Sequence, residues 1–164
     1  MRIKTTLAAL ALSLALPAAQ AEGPSTINVK RMTTDVAVRM AQATIAACRA
    51  EGVNVAVTIV DRGGNIQVVM RDTLAMDLTL EISRQKAYTA LSFNGPLSQM
   101  QDRFTQPFSV GKVQGLVFSA GGLPIHAAGS ILGGIGVSGA PSGTTDEMCA
   151  RKGIEAVEAD LEMG

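Results

Sequence analysis

The spacing of apolar and polar positions predicts helices and a strand pair in the first half of the chain. Apolar side chains recur at helical spacing after Thr33, a residue suited to helix capping, and Gly52 favours the end of that helix. Residues 53–60 and 65–71 alternate as strands do, and the glycines between them favour a tight turn. Helical spacing returns at about residues 77–93, and residues 97–104 are predicted to form a further short helix.

The pattern in the second half of the chain predicts a loop followed by short strands. After a loop at residues 105–113, glycines separate three predicted strands, at residues 114–119, 123–127 and 130–138. Thr144 and Glu147 then form a capping-box pattern for a final helix that runs to about residue 162. Strands joined by hairpins imply an antiparallel sheet, with the long helices covering it.

The residues before this pattern have the three parts of a secretory signal peptide. Arg2 and Lys4 precede a short apolar run at residues 7–16, and small side chains occupy the positions before a cleavage site after Ala21. The run is too short to cross a bilayer comfortably. We therefore expect a periplasmic or secreted protein with no membrane span after signal cleavage.

Composition places the remaining chain among ordinary small domains. Cleavage after Ala21 leaves 143 of the 164 residues, with 12 basic and 14 acidic side chains. We divide them into a flexible leader, residues 22–32, and one domain, residues 33–164. A nearly neutral surface provides no electrostatic argument for a nucleic-acid partner.

Two cysteines remain, Cys48 and Cys149, and both lie within apolar helical patterns. An even number of cysteines in an exported chain favours a disulfide, whereas two separate buried thiols would fit the helical pattern equally well. Both alternatives stay open, because spacing along the chain does not tell whether the two helices meet.

A glycine motif invites a nucleotide-binding interpretation that its context contradicts. Gly134, Gly136 and Gly139 match the dinucleotide pattern G-x-G-x-x-G. That motif must open a helix whose N-terminus holds the pyrophosphate, but Pro141 and further turn residues precede the helix predicted at Thr144. We interpret the glycines as bends or close approaches in a strand.

The candidate binding residues are one histidine and three basic side chains. His126 is the only histidine, so no histidine pair can hold zinc, but one imidazole can be a haem axial ligand or an ordinary strand residue. Arg71, Arg84 and Lys86 could bind an acidic ligand such as a haem propionate, or form a solvated helix face. No residue is assigned a catalytic role.

Several motifs, in order, resemble the GlcG/HbpS family. The resemblance covers residues 33–162 and includes VTIVDRGG at 57–64, MRD at 70–72, SRQKAYTA at 83–90, GGLPI at 121–125, GIGVSG at 134–139 and DEMCA at 146–150. It implies an α/β profilin-like fold, a three-layer α/β/α domain with a five-stranded antiparallel sheet. It also implies haem binding as a property of some members, and assembly into homo-oligomers.

The leading functional hypothesis is an exported small-molecule-binding protein for haem or a related cofactor, with His126 as the candidate iron ligand. The family has no common reaction, so fold alone is a weak basis for assigning an activity. The alternatives are an enzyme or enzyme accessory acting on a small organic acid, and an interaction module that builds an assembly.

Overall fold

The computed structural model describes residues 23–164 and gives the following order of elements. The chain forms α1 (Thr34–Ala50), β1 (Ala56–Asp61), β2 (Ile66–Arg71), α2 (Leu78–Phe93), 3₁₀ turns at Leu97–Gln99 and Val110–Lys112, β3 (Gly122–Ala127), β4 (Ser130–Ser138), α3 (Gly143–Glu155) and α4 (Glu158–Glu162). The predicted signal peptide, residues 1–21, lies outside the described residues. Within residues 23–164, no helix is both long enough and apolar enough to cross a membrane.

The four strands form an antiparallel sheet in the order β2-β1-β4-β3. Strands β1 and β4 occupy the centre, and β1 is buried along almost its whole length, because helices cover both of its faces. Strand β2, the hairpin partner of β1, and strand β3, the hairpin partner of β4, lie at opposite edges of the sheet. Residues at those two edges therefore cannot share one site without crossing the sheet.

One face of the sheet packs on helices α1 and α3. Met40 of α1 and Cys149 of α3 are fully buried in the same apolar cluster as Val57, Ile59 and Ile135 from the strands. The two helices cross closely, since a Cβ placed at Gly153 would lie on the hydroxyl of Thr44.

The Cys48–Cys149 disulfide joins α1 to α3. The Cα atoms are 5.4 Å apart and both cysteines are fully buried. The structure therefore settles the choice that the sequence left open. The bond also ties α3 to α1, and α3 contributes Asp146 to an ion pair with Lys86 and Ile154 to a cavity beside His126.

The opposite face of the sheet packs on α2. The alternating glycines of β4 make this contact close: a Cβ at Gly136 would meet the main-chain oxygen of Ser83 at 2.1 Å, and one at Gly134 would meet that of Ala87 at 2.4 Å. The neighbouring strand β1 contributes Thr58, whose hydroxyl lies 2.8 Å from that of Ser83. The glycine motif thus allows a helix to approach a strand, as expected, and the fold is a three-layer α/β/α arrangement.

The mixed α/β fold with an antiparallel sheet is confirmed, but the prediction of five strands is wrong. Residues 114–119 form no strand, and the sheet has four strands in the described part of the chain. The segment lies against α2, where the Val117 amide donates to the Thr89 hydroxyl at 3.0 Å. Phe118 packs on Phe93 and Phe104, with ring centroids 4.9 and 4.6 Å away. Aromatic packing thus holds this segment in place of sheet pairing.

The predicted capping box of the last long helix is also wrong. Ser142 is the N-cap of α3, and its hydroxyl accepts from the Thr144 amide at 3.2 Å. Glu147 does not cap the helix and instead accepts a hydrogen bond from the Ser98 hydroxyl. The helix ends at Glu155, and a separate short helix, α4, begins at Glu158.

Candidate functional site

The structure distributes the four predicted binding residues over separate places. Arg71 ends β2 at one edge of the sheet, whereas His126 lies on β3 at the opposite edge. Arg84 and Lys86 lie on α2, which covers one face. The Arg71 guanidinium donates to the main-chain oxygen of Ala75. These residues therefore do not form one constellation.

Arg84 is neutralised by a neighbour on its own helix. Its guanidinium donates to both carboxylate oxygens of Glu81, at 2.9 and 2.6 Å, and Gln85 adds a third hydrogen bond to the same group. The contact with Arg84 lowers the pKa of Glu81 to about 2, and Glu81 raises the pKa of Arg84. Both side chains are substantially exposed, which makes this a surface pair of small energetic value.

Lys86 is buried at the end of the sheet. Its ammonium donates to the main-chain oxygen of Val137 at 2.9 Å and to Asp146 of α3 at 3.0 Å. Only 4% of each side chain in the Lys86–Asp146 pair is exposed. Burial raises the pKa of Asp146, while the Lys86 charge and the Ala140 amide oppose that shift.

Gly121 has a structural reason to be glycine at this end of the sheet. A Cβ there would lie 2.6 Å from the Lys86 ammonium nitrogen and 2.8 Å from the Asp146 Cβ, and the residue has a φ of +118°. Any side chain would therefore push into the buried ion pair and would require a backbone conformation that L-residues rarely adopt.

Glu147 extends this network toward the loop before β3. Its carboxylate accepts from the amide and hydroxyl of Ser98, at 3.1 and 2.7 Å, and from the Gly121 amide at 3.3 Å. We call Lys86, Asp146 and Glu147 the buried polar cluster. Asp146 and Glu147 belong to a family motif, and Glu147 also fits a capping-box pattern, but their burial could not be predicted from the sequence, because acidic side chains are rarely buried unless paired and their partners are distant in sequence.

His126 occupies an open region instead. A register irregularity between Ile125 and His126 interrupts the pairing of β3 with β4, and His126 lies opposite Ile131. Its side chain is exposed, while Ile125 and Ala127 on either side are buried. Within residues 23–164, no hydrogen bond of the structure involves the imidazole. The ring is therefore available to a ligand.

Two cavities meet at His126. The basic cavity, about 320 Å³, is lined by Lys30, Arg62, Asn94, His126, Ser130 and Ile131, together with the apolar side chains of residues 27 and 29. The edge cavity, about 400 Å³, is lined by Pro96, Leu123, Pro124, His126, Arg151, Ile154, Glu155 and Glu158. Both volumes lie at the small end of the range for ligand pockets, roughly 300–1,000 Å³.

The edge cavity combines an imidazole with an apolar wall. Leu123, Pro124 and Ile154 supply carbon surface, while Arg151 supplies one cation and Glu155 and Glu158 supply two carboxylates. Phe104 and Phe118 of the loop before β3 pack on each other, whereas Phe108 of the same loop is exposed, and none of the three lines either cavity. In the described part of the chain, no three His, Cys, Asp or Glu side chains converge in a metal-binding arrangement. A metal bound here would have to bring its own ligands, as the iron of haem does.

Comparison with known proteins identifies the class to which this fold and site belong. Residues 32–155 match the family model described as "Haem degrading protein HbpS-like". The chain belongs to the HbpS-like family, and the resemblance inferred from its motifs is confirmed.

Individual relatives agree with this assignment. A crystal structure of a Streptomyces reticuli HbpS double mutant is 36% identical, with a TM-score of 0.77, and the match covers 87% of this chain and 98% of that one. A crystal structure of a PduOC:heme complex is 26% identical, with a TM-score of 0.69, and the match covers 77% and 95% of the two chains. An uncharacterized 15.0 kDa protein of Citrobacter freundii from the dhaT-dhaS intergenic region is 32% identical over 118 residues, which are 68% of this chain and 82% of that protein.

Proposed function

We propose that this protein is an exported haem-binding protein that ligates haem iron through His126. Family membership and the haem complex of a 26% identical relative support the ligand. The observation in this chain that carries the proposal is its only imidazole, exposed and without a hydrogen bond in the described residues, at the junction of two cavities.

The residues around His126 fit the group. Haem supplies an iron that takes an axial nitrogen ligand, and its apolar macrocycle needs carbon surface beside that ligand. Leu123 and Pro124 precede His126 on the same strand, and Ile154 of α3 faces them across the edge cavity. These side chains provide carbon surface in the cavity that His126 also lines.

The core packing of β3 fixes the main chain at His126. Ile125 and Ala127 are anchored in the core on both sides of His126, and pairing with Ile131 fixes the main chain at this point. The two anchors leave the ring itself as the only side chain of residues 125–127 that faces solvent. The main chain is thus held at this point, and only the rotation of the exposed ring is lost when a ligand binds.

Export is supported by the disulfide. The Cys48–Cys149 bond joins two helices in the core, and such structural disulfides persist in oxidising compartments. Together with the signal-peptide pattern of residues 1–21, this favours the periplasm or the extracellular space. The mass of protein recovered from the cell envelope or medium should correspond to a chain that begins at Glu22.

The outer surface supports assembly into a homo-oligomer. Leu74, Leu78 and Phe108 are 79%, 55% and 103% exposed, and β2 adds the exposed Ile66 and Val69 at an open sheet edge. Large contiguous apolar patches often mark subunit contacts, and these side chains are the candidates for such a patch. Light scattering on the purified mature chain should give a mass of at least twice that of the monomer, and a monomer mass would contradict the proposed assembly.

The central experiment is a titration of the mature protein with hemin. We expect a saturable shift of the Soret band in the wild-type protein and an altered ferric and ferrous spectrum in His126→Ala. Added imidazole should restore the wild-type spectrum in that variant, while the exposed control Arg103→Ala should match the wild type. A wild-type protein without a saturable shift does not bind haem. An unchanged His126→Ala spectrum would remove His126 as the ligand and leave binding itself intact.

A further inference from the structure

The basic cavity has an unusual charge balance. Lys30 and Arg62 both line it, and none of the lining residues is acidic. In the described part of the chain, no aspartate or glutamate side chain forms an ion pair with either residue, whereas Arg39, Arg49 and Arg84 each contact a carboxylate. Arg62 therefore has no anionic partner in the described residues, and Lys30 is a second basic residue of the lining whose ammonium contacts Gly164, in a protein whose overall charge is close to zero.

The known contacts of these two side chains leave donors free. One terminal nitrogen of Arg62 donates to the main-chain oxygen of Ile131 at 2.7 Å, which fixes the guanidinium at the cavity wall. The other nitrogens of Arg62 make no hydrogen bond within residues 23–164. Lys30 donates at 3.0 Å to an oxygen of Gly164, which lines a neighbouring cavity and not this one, and an ammonium has two further donors.

From this arrangement we propose that the basic cavity is a carboxylate-binding site, with Arg62 as its main ligand and Lys30 as a second cation. A planar guanidinium held at one end matches the two oxygens of a carboxylate. Asn94, His126 and Ser130 add side-chain donors around the same space.

The apolar part of the lining favours an organic acid over an inorganic anion. Ile27, Val29 and Ile131 place carbon surface next to the two cations. A ligand with a charged end and a short carbon chain would satisfy both kinds of wall. That chemistry belongs to a free small organic acid and also to the propionate arm of haem, and only the second source rests on the proposed function.

The first test uses glutarate, a five-carbon diacid, with glutaramide as its uncharged match. Calorimetry on the mature protein should show saturable binding of glutarate that weakens as salt is added, and no binding of glutaramide. Arg62→Gln should weaken glutarate binding about tenfold, Lys30→Gln should weaken it less, and Arg62→Lys should lie between Arg62→Gln and the wild type. The exposed control Arg103→Gln should bind as the wild type does.

The second test identifies the source of the carboxylate by comparing protoporphyrin IX with its dimethyl ester. If the acid binds more tightly and Arg62→Gln removes the difference, the ligand is the propionate of the macrocycle. If both porphyrins bind alike while glutarate binding depends on Arg62, the ligand is a free acid. Saturable glutarate binding without any hemin binding would overturn the proposed function and keep this site. No saturable glutarate binding, or equal binding by Arg62→Gln, would overturn the site.

Discussion

The two regions that hold the ionisable residues of this domain differ in how their charges are satisfied. In the buried polar cluster, every charged group contacts a protein partner, and Gly121 leaves no space for a ligand beside Lys86. At the β3 edge, His126 and Arg62 line open cavities and leave donors unused in the described structure. The comparison teaches that membership of a family motif does not tell which charged residues bind a ligand, since Lys86 and Arg62 both lie in such motifs and only Arg62 lines an open cavity.

The largest expected loss of stability follows from removing the disulfide between α1 and α3. The Cys48–Cys149 bond spans a sequence separation of 101 residues, and closing a loop of that order stabilises a fold by roughly 4–5 kcal/mol in the chain-entropy model. We expect the Cys48→Ala/Cys149→Ala variant to lose about that much free energy of unfolding. Urea denaturation with and without reductant measures it. A reduced wild-type protein as stable as the oxidised one would contradict the prediction.

Asp146→Asn probes the buried polar cluster directly. It removes the negative partner of Lys86 and leaves an uncompensated charge in the core, which we expect to lower the free energy of unfolding by about 3–4 kcal/mol. The double variant Lys86→Met/Asp146→Asn should recover part of that loss, because the unpaired charge is gone. If Asp146→Asn cost no more than a surface substitution such as Lys152→Gln, the distinction between the two regions would fail.

The Arg49–Asp72 ion pair, in which Arg49 is exposed, predicts how the stability of the protein depends on pH at low pH. Arg49 binds both carboxylate oxygens of Asp72, at 2.7 and 2.8 Å, and lowers the pKa of Asp72 from 3.8 to about 2. The resulting stabilisation is present above pH 3.8 and is lost as the pH falls toward about 2. Asp72→Asn should flatten this part of the pH profile in thermal unfolding. The same slope in wild type and variant would show that the pair contributes nothing.

The smallest expected change in stability belongs to the β3 edge. His126→Ala removes an exposed side chain without a hydrogen bond in the described residues, so we expect the free energy of unfolding to stay within about 0.5 kcal/mol. The hemin spectrum of the same variant should change. A loss of several kcal/mol would assign His126 a structural role and weaken its place in the binding site.

Most helices and strands of the domain could be predicted from the sequence. The helix at 34–50, the hairpin of β1 and β2 and the helix at 78–93 follow from periodicity and turn residues, which depend on neighbours a few positions away. The missing strand at residues 114–119 shows the limit. Phe118 fits a strand pattern, but its packing partners Phe93 and Phe104 lie elsewhere along the chain.

The candidate site was predictable only in part. His126 could be selected because it is the single histidine, and its exposure agrees with a binding role. Arg62 and Lys30 could not be selected, since they are separated from His126 by long stretches of chain and belong to no ligand motif. Asp146 could not be paired with Lys86 for the same reason, because the two residues are 60 positions apart.

The family and the main helices and strands followed from the sequence, and so did the expectation of bends or close approaches at the glycines of β4, since each depends on local pattern or on the small size of one residue. Only the tertiary structure decided that Lys86 is buried against Asp146, that Cys48 meets Cys149, and that His126 shares a cavity with Arg62. The physical reason is that burial and pairing depend on which distant segments pack together. A basic side chain forms a core ion pair at Lys86 and keeps unused donors at Arg62, according to which segments pack against it.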